Sequence, residues 1–224
     1  MMRLKDLWNR LVRFGFRLLY YELAWTYDLV SWLVSLGDWR AWQQAALPFV
    51  AGREVLEIGH GPGHMLLALQ NAGFEVVGLD LSPQMGRQAR RRTQRTVPLV
   101  GGRVQHLPFG TAVFDTVLST FPTDYVIEPA TLAAVARVLR ANGRFVIVPE
   151  SRLTGGGALR QVIEWLYAIT GQRGAAGALP DQAETAVWQP YLVRFQAAGF
   201  QVQFERVALP RSQVTVLIAH KMAA

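Results

Sequence analysis

Residues 54–80 constrain the fold more than any other stretch of this chain. Glu54-Val55-Leu56-Glu57-Ile58 reads as a short buried strand that runs straight into Gly59-His60-Gly61-Pro62-Gly63-His64. Residues 65–72 then read as a helix closed by Gly73, and residues 74–79 as a second strand ending on Asp80. Two strands joined through a helix lie parallel, with a right-handed crossover. The unit is therefore βαβ, and the chain belongs to the α/β class. Its glycines let the backbone turn tightly and approach a ligand closely. The helix that follows offers unpaired N–H groups at its start. An acid closing the second strand has lone pairs for two ribose hydroxyls.

The spacing decides between nucleotide classes. A dinucleotide fingerprint needs G-x-G-x-x-G, but His64 stands where its third glycine belongs, and Pro62 removes one N–H from a pyrophosphate cradle. No G-x-x-x-x-G-K-[ST] occurs, which excludes a P-loop. Glu57-x-Gly59-x-Gly61-x-Gly63 instead resembles the S-adenosylmethionine loop of class I methyltransferases. Gly78-Leu79-Asp80-Leu81-Ser82-Pro83-Gln84-Met85 is similar to that family's second motif. Leu107-Pro108-Phe109 followed by Phe114-Asp115 is similar to the stretch that opens its fourth strand. Residues 139–148 resemble its turn into the fifth strand, and Ala197-Ala198-Gly199-Phe200 with two following strands resembles its closing hairpin.

The resemblance spans about residues 50–220 and implies a Rossmann-like, mostly parallel sheet of seven strands. The order expected is 3-2-1-4-5-7-6, with strand seven antiparallel, helices on both faces and an N-terminal helical cap. It implies S-adenosylmethionine as cofactor and S-adenosylhomocysteine as product, with no metal. The cofactor residues carried over are Glu57, Gly59, His60, Gly61, Gly63, Asp80, Leu81, Met85, Val104, Gln105 and Thr120. One position departs from the family. Arg103 stands where an acid commonly accepts from the adenine amino group, and an arginine only donates. Gln105 or a backbone carbonyl is left to do so.

Tyr27-Asp28-Leu29-Val30-Ser31 through Trp42 is similar to the lead-in segment of the ubiquinone/menaquinone C-methyltransferases, the type 11 branch. Tyr27, Asp28, Ser35, Gly37, Arg40 and Trp42 match that pattern, while Ser31 replaces an Asn. The resemblance puts Tyr27, Phe121 and Tyr125 in the acceptor pocket. The Arg–Asn pair expected after the fourth strand is replaced by Ser119-Thr120-Phe121-Pro122-Thr123-Asp124-Tyr125. A quinone head group is therefore not carried over, but an aromatic-lined, hydrophobic acceptor pocket is. Asp124 and Tyr125, then Asp28 and Glu150, are the groups available to remove a proton, and none is assigned as catalytic.

Two domains are expected: a cap over residues 1–50 and the methyltransferase domain over 51–224, with an insertion at about 151–187. Within the insertion, residues 158–170 read as an amphipathic helix, either a lid over the site or a static packing element. Residues 3–19 also carry helical amphipathic spacing. Leu4, Leu7, Trp8, Leu11, Phe14 and Leu18 fall in one arc, and the basic residues in the other. Residues 1–20 hold +4 of the chain's +7 net charge. Such a helix either lies in a bilayer interface, at the inner face of the cytoplasmic membrane, or packs on its own domain. Only 17% of residues are charged, against about 25% in an ordinary soluble chain, which fits an apolar partner. Glu22 and Asp28 argue against a spanning helix at 18–36.

The absence of cysteine excludes thiolate chemistry and fits a reducing cytoplasm. His60 and His64 flank a glycine loop and do not share a helix face, so no metal is expected. No nucleic-acid reader motif accompanies the arginines of 87–95, which read as a solvated helix face or a contact for anionic lipid. The activity expected is methyl transfer to a hydrophobic, membrane-associated small molecule that is quinone-like or a lipid. Its rivals are phospholipid N-methylation and a non-catalytic cofactor-binding or membrane-scaffolding role. The oligomeric state is left open.

Overall fold

The computed structural model describes residues 26–154 and 183–222. Two short helices come first, α1 (Tyr27–Ser35) and α2 (Trp39–Gln44). The sheet is built from β1 (Glu54–Ile58), β2 (Glu75–Asp80), β3 (Leu99–Gly101), β4 (Phe114–Thr120), β5 (Leu139–Leu153), β6 (Phe200–Leu209) and β7 (Ser212–Lys221). Helix α3 (His64–Asn71) joins β1 to β2, and α4 (Pro83–Arg92) joins β2 to β3. Helix α5 (Pro129–Val138) precedes β5, and α6 (Ala183–Ala197) precedes β6.

The strand order is β3-β2-β1-β4-β5-β7-β6. The first five strands pair in parallel, and β7 runs antiparallel to both β5 and β6. This is the expected topology. The central strands are buried on both faces, so Val55-Leu56 and Phe145-Val146-Ile147-Val148 read as continuous apolar runs instead of alternating ones. One face packs Leu56, Phe114, Val117 and Phe145 against Leu132 and Val135 of α5 and Phe195 of α6. The other packs Val55, Val76, Leu118 and Val146 against Trp42 of α2, Met65 and Leu69 of α3, and Ala89 of α4.

Two buried hydrogen bonds fix the cap over the sheet. Trp42 Nε1 donates to Ser212 Oγ at 2.7 Å, and Gln43 Nε2 donates to Thr120 Oγ1 at 3.1 Å. The second bond lands on the last residue of β4, which brings α2 to the carboxyl end of the strands. In open α/β sheets that is where ligands bind.

The insertion expected at 151–187 starts differently. Residues 151–153 are still β5, paired with Gln213 and its neighbours on β7. At the other end, α6 starts at Ala183. The helix expected at 158–170, the possible lid and residues 1–20 lie outside the described residues. No helix among the described residues is long and apolar enough to cross a membrane.

Candidate active site

The site begins where β1 ends. Gly59, Gly61 and Gly63 all take left-handed φ values, +68°, +52° and +85°. Side chains with a Cβ resist that region, which explains the every-second-residue glycine pattern. Their surroundings differ. A Cβ on Gly59 would lie 2.4 Å from the Tyr125 hydroxyl, and one on Gly63 would lie 2.8 Å from the Ala89 Cβ. A Cβ on Gly61 would meet nothing within 4 Å, so the loop opens to space there.

Asp80 ties the loop to β2. Its Oδ2 accepts from Gly61 N–H at 2.9 Å, and its Oδ1 accepts from Ser82 N–H at 2.7 Å. Each carboxylate oxygen keeps a further lone pair for a hydroxyl donor. Ser82 caps α4 by accepting from Met85 N–H at 3.2 Å. Leu81, beside Asp80, keeps 52% of its surface exposed, an apolar ledge next to the acid.

Glu57 lies in register between Gly78 of β2 and Leu118 of β4. It is fully buried, and neither carboxylate oxygen has a hydrogen-bond partner. Burial, together with repulsion from Asp80, holds its carboxyl well above the ordinary range. An unpaired buried carboxyl is costly and demands a partner. A cationic amine is a chemical match for it. Together with the open Gly61 turn and the free lone pairs of Asp80, it gives a donor and acceptor set that fits an amino acid joined to a nucleoside.

Other expected residues take up varied positions. The His60 ring turns inward: its Cδ2 is 2.9 Å from where a Gly78 Cβ would be, and its Nδ1 is 2.7 Å from the Gly61 carbonyl. Only its backbone belongs to the loop surface. Met85 and Val104 are buried in the core. Gln105 Nε2 donates to Glu128 at 2.7 Å. Thr120 receives Gln43, as above. Asp124 is exposed at the start of a single 3-10 turn, Asp124–Ile127. Tyr125, on the same turn, reaches back over Gly59, with its hydroxyl 3.4 Å from Ser119 Oγ.

An aromatic wall faces this end of the sheet. Phe121 stacks on Trp39 with centroids 4.5 Å apart, and Tyr27 meets Trp39 edge-on at 6.2 Å. Phe121 sits at φ +50°, a left-handed conformation rare for a bulky residue. That turn at the end of β4 sends its ring back toward α2. The family resemblance singled out Tyr27 and Phe121 but not Trp39. A tryptophan in a segment already rich in aromatics carries no signal of its own.

Asp28, a weaker candidate base on sequence, has another task in the structure. Its Oδ1 accepts from His64 Nε2 at 2.8 Å, and its Oδ2 accepts from Arg92 at 2.6 Å. Arg92 also donates to the Pro62 carbonyl. Burial opposes the Asp28 charge, but the His64 and Arg92 contacts outweigh it and lower its pKa. Burial and the nearby Arg92 charge lower that of His64. A carboxylate locked between two donors is a poor base. Arg92, grouped by sequence with a solvated arginine face, turns inward to make this contact. Glu150, the other weaker candidate, lies 3.7 Å from Arg152.

Comparisons with known proteins show the family and the fold. The methyltransferase-domain family matches residues 56–147. The demethylmenaquinone methyltransferase of Mycobacterium tuberculosis is 35% identical over 191 residues, 84% of this chain and 76% of that one. The chain belongs to the S-adenosylmethionine-dependent methyltransferases. Other methyltransferases of the same name align over less. That of Renibacterium salmoninarum is 32% identical over 139 residues, which is 60% of this chain and 58% of its own length. That of Mycolicibacterium gilvum is 35% identical over 138 residues, which is 59% of its own length. Against these two relatives the chain therefore spans under two thirds of their length. Among solved methyltransferases, one from Methanosarcina mazei shares the fold with TM-score 0.55 at 18% identity, covering 80% of this chain and 98% of that one. A geranyl diphosphate C-methyltransferase from Streptomyces coelicolor, bound to S-adenosyl-L-homocysteine, does so with TM-score 0.54 at 14% identity, covering 82% and 78%.

Proposed function

We propose that this chain transfers the methyl group of S-adenosylmethionine to a hydrophobic, quinone-like small molecule associated with a membrane. The observation that carries the reading is the buried, unpartnered Glu57 carboxyl beside the glycine loop, at the end of the sheet where the aromatic wall stands. In this reading Glu57 takes the cofactor's ammonium group and Asp80 takes the ribose hydroxyls. The backbone of Gly59, His60, Gly61 and Gly63 lines the loop side. Leu81 offers the adenine its apolar ledge, and by resemblance Gln105 and Thr120 stand on the cofactor side, with Met85 and Val104 packed in the core behind them.

The bound cofactor supplies an electrophilic methyl group on a sulfonium. The chain's own contribution is alignment and exclusion of water. In-line transfer gains most from holding nucleophile and methyl in contact, and a rigid aromatic wall does that for a planar acceptor. Tyr27, Phe121 and Tyr125 form the acceptor pocket, joined by Trp39. Between the two candidates for removing a proton, Tyr125 is favoured over Asp124, because its hydroxyl reaches over Gly59. Residues 1–20 contribute a basic amphipathic contact at the inner face of the cytoplasmic membrane.

The test supplies methyl-labelled S-adenosylmethionine with demethylmenaquinone and with fractionated cell lipid and metabolite extract. Label in the quinone fraction, lost in Asp80→Ala, is the expected result. Label in phosphatidylethanolamine would replace the quinone reading with phospholipid N-methylation. Cofactor binding without label in any fraction would leave a binding protein. Calorimetry showing no binding of S-adenosylhomocysteine would overturn the reading altogether. Loss of vesicle binding on deleting residues 1–20 tests the membrane contact.

A further inference from the structure

Helix α1 turns an apolar face outward. Leu29 and Trp32 keep 59% of their surface exposed, and Leu33 keeps 52%. These positions are spaced three and four apart, so they share one face. The only charged residue of the helix is Asp28, and it is consumed by His64 and Arg92. Large exposed side chains grouped this way mark an interaction surface.

The Asp28–Arg92 ion pair joins α1 to α4, and the charge there is one-sided. Residues 81–114 hold six arginines and no acid. Arg92 is used inward. Among the described residues, no hydrogen bond or ion pair involves the side chains of Arg87, Arg90, Arg91 and Arg95. They line an open basin of about 560 Å³ with Val97 and Leu99. Three arginines at the end of α4 suit the helix dipole, but Arg87 and Arg95 lie outside its last turn.

We infer that the outer face of α1 and the arginines of α4 form a docking surface for an anionic lipid bilayer, with Leu29, Trp32 and Leu33 entering the interface and the arginines meeting lipid phosphates. A bilayer interface is the partner that takes tryptophan and leucine on one element and several unpaired cations on the next. Nucleic acid would satisfy the arginines but leave the apolar face without a role. Helix α1 also carries Tyr27 of the aromatic wall, so the docked helix sits beside the acceptor pocket. This surface meets the same partner as the membrane reading above, but it needs neither residues 1–20 nor any particular acceptor.

The test is flotation of the full chain with vesicles of phosphatidylglycerol and phosphatidylcholine in equal parts, against phosphatidylcholine alone. Two variants are compared with wild type: Leu29→Gln/Leu33→Gln, which leaves Trp32 in place, and Arg87→Gln/Arg90→Gln/Arg91→Gln. Each should lower binding to the anionic vesicles by about tenfold or more, with unchanged S-adenosylhomocysteine affinity. The arginine variant should also lose the preference for anionic lipid. Wild-type binding by both variants overturns the proposal, even if deleting residues 1–20 abolishes it. So does no binding of the full chain, or a DNA duplex that competes the vesicles off. Methyl transfer is scored separately, so failure here leaves the acceptor reading standing.

Discussion

The Asp28 carboxylate lies 2.6 Å from the Arg92 guanidinium, and the same arginine donates to the carbonyl of Pro62 inside the glycine loop. One carboxylate thus links the helix that carries Tyr27 of the aromatic wall to the glycine loop. The pair is partly solvated, so its intrinsic strength is modest. Its value is geometric. Asp28→Asn should cost about 1 kcal/mol of stability and weaken S-adenosylhomocysteine binding by roughly three- to tenfold. Thermal melts and calorimetry check both. Unchanged affinity would mean that the loop is set without the cap. Because Asp28 has a lowered pKa in the folded chain, its contribution is present above the ordinary carboxylate range and fades as pH falls through the lowered value. The stability difference between wild type and Asp28→Asn should therefore be constant above about pH 7, where His64 is neutral in both, and shrink below about pH 4, with the titration of the Asp28-bonded His64 between.

Glu57 titrates in the opposite sense. Its raised pKa means that the folded chain binds this proton more tightly than the unfolded chain does. Stability is therefore lost as pH rises from the ordinary carboxylate value through the raised one. Glu57→Gln removes that loss, so the free variant should melt higher than wild type, with the gap widening as pH rises. A bound ammonium would reverse the preference and expel the proton. S-adenosylhomocysteine binding should then release a proton in wild type and none in Glu57→Gln. Calorimetry in buffers of different ionisation enthalpy reads this directly, and a buffer-independent enthalpy for wild type would refute it. The variant should also bind about tenfold or more weakly, the scale of a lost hydrogen bond to a charged group.

Gly59 and Gly61 should respond unequally to alanine. Both have positive φ, so each pays a backbone penalty of about 1 kcal/mol. Only Gly59→Ala also drives a methyl into the Tyr125 hydroxyl. It should lose more stability than Gly61→Ala, and Tyr125→Phe should recover part of the difference. Additive losses in the double variant would show that the two groups do not touch. The melting temperatures of Gly59→Ala, Gly61→Ala, Tyr125→Phe and the Gly59→Ala/Tyr125→Phe double variant decide it.

What sequence could read, and what it could not, follows from the range of the contacts. The unit from Glu54 to Asp80 is local: strand, glycine turn, helix and acid succeed one another, and each leaves its own signature. The sheet order followed from the resemblance, since β1, β2, β4 and β5 carry short motifs near their ends. The Asp28–His64–Arg92 cluster left no trace, because its members are 36 and 64 residues apart and obey no period. Arg92 looked like its neighbours on a basic helix, yet it alone turns inward. His60 was assigned to the cofactor from its place in the loop, but the missing side chain of Gly78 gives its ring somewhere else to go. Sequence located the loop and not the direction of each side chain on it.

Phe121 offers a test in which glycine should outperform alanine. Removing the ring forfeits the stack on Trp39, so Phe121→Ala and Phe121→Gly should weaken acceptor binding alike, seen as a higher KM with S-adenosylhomocysteine affinity unchanged. Their stabilities should diverge. At most positions glycine is the less stable choice, because it loses more backbone freedom on folding. At φ +50° the alanine Cβ is strained and glycine is not. Phe121→Gly should therefore be the more stable of the two by about 1 kcal/mol. The reverse order in chemical denaturation would show that the chain after β4 relaxes once the ring is gone. The left-handed turn would then be a consequence of the Phe121–Trp39 stack and not a scaffold for it.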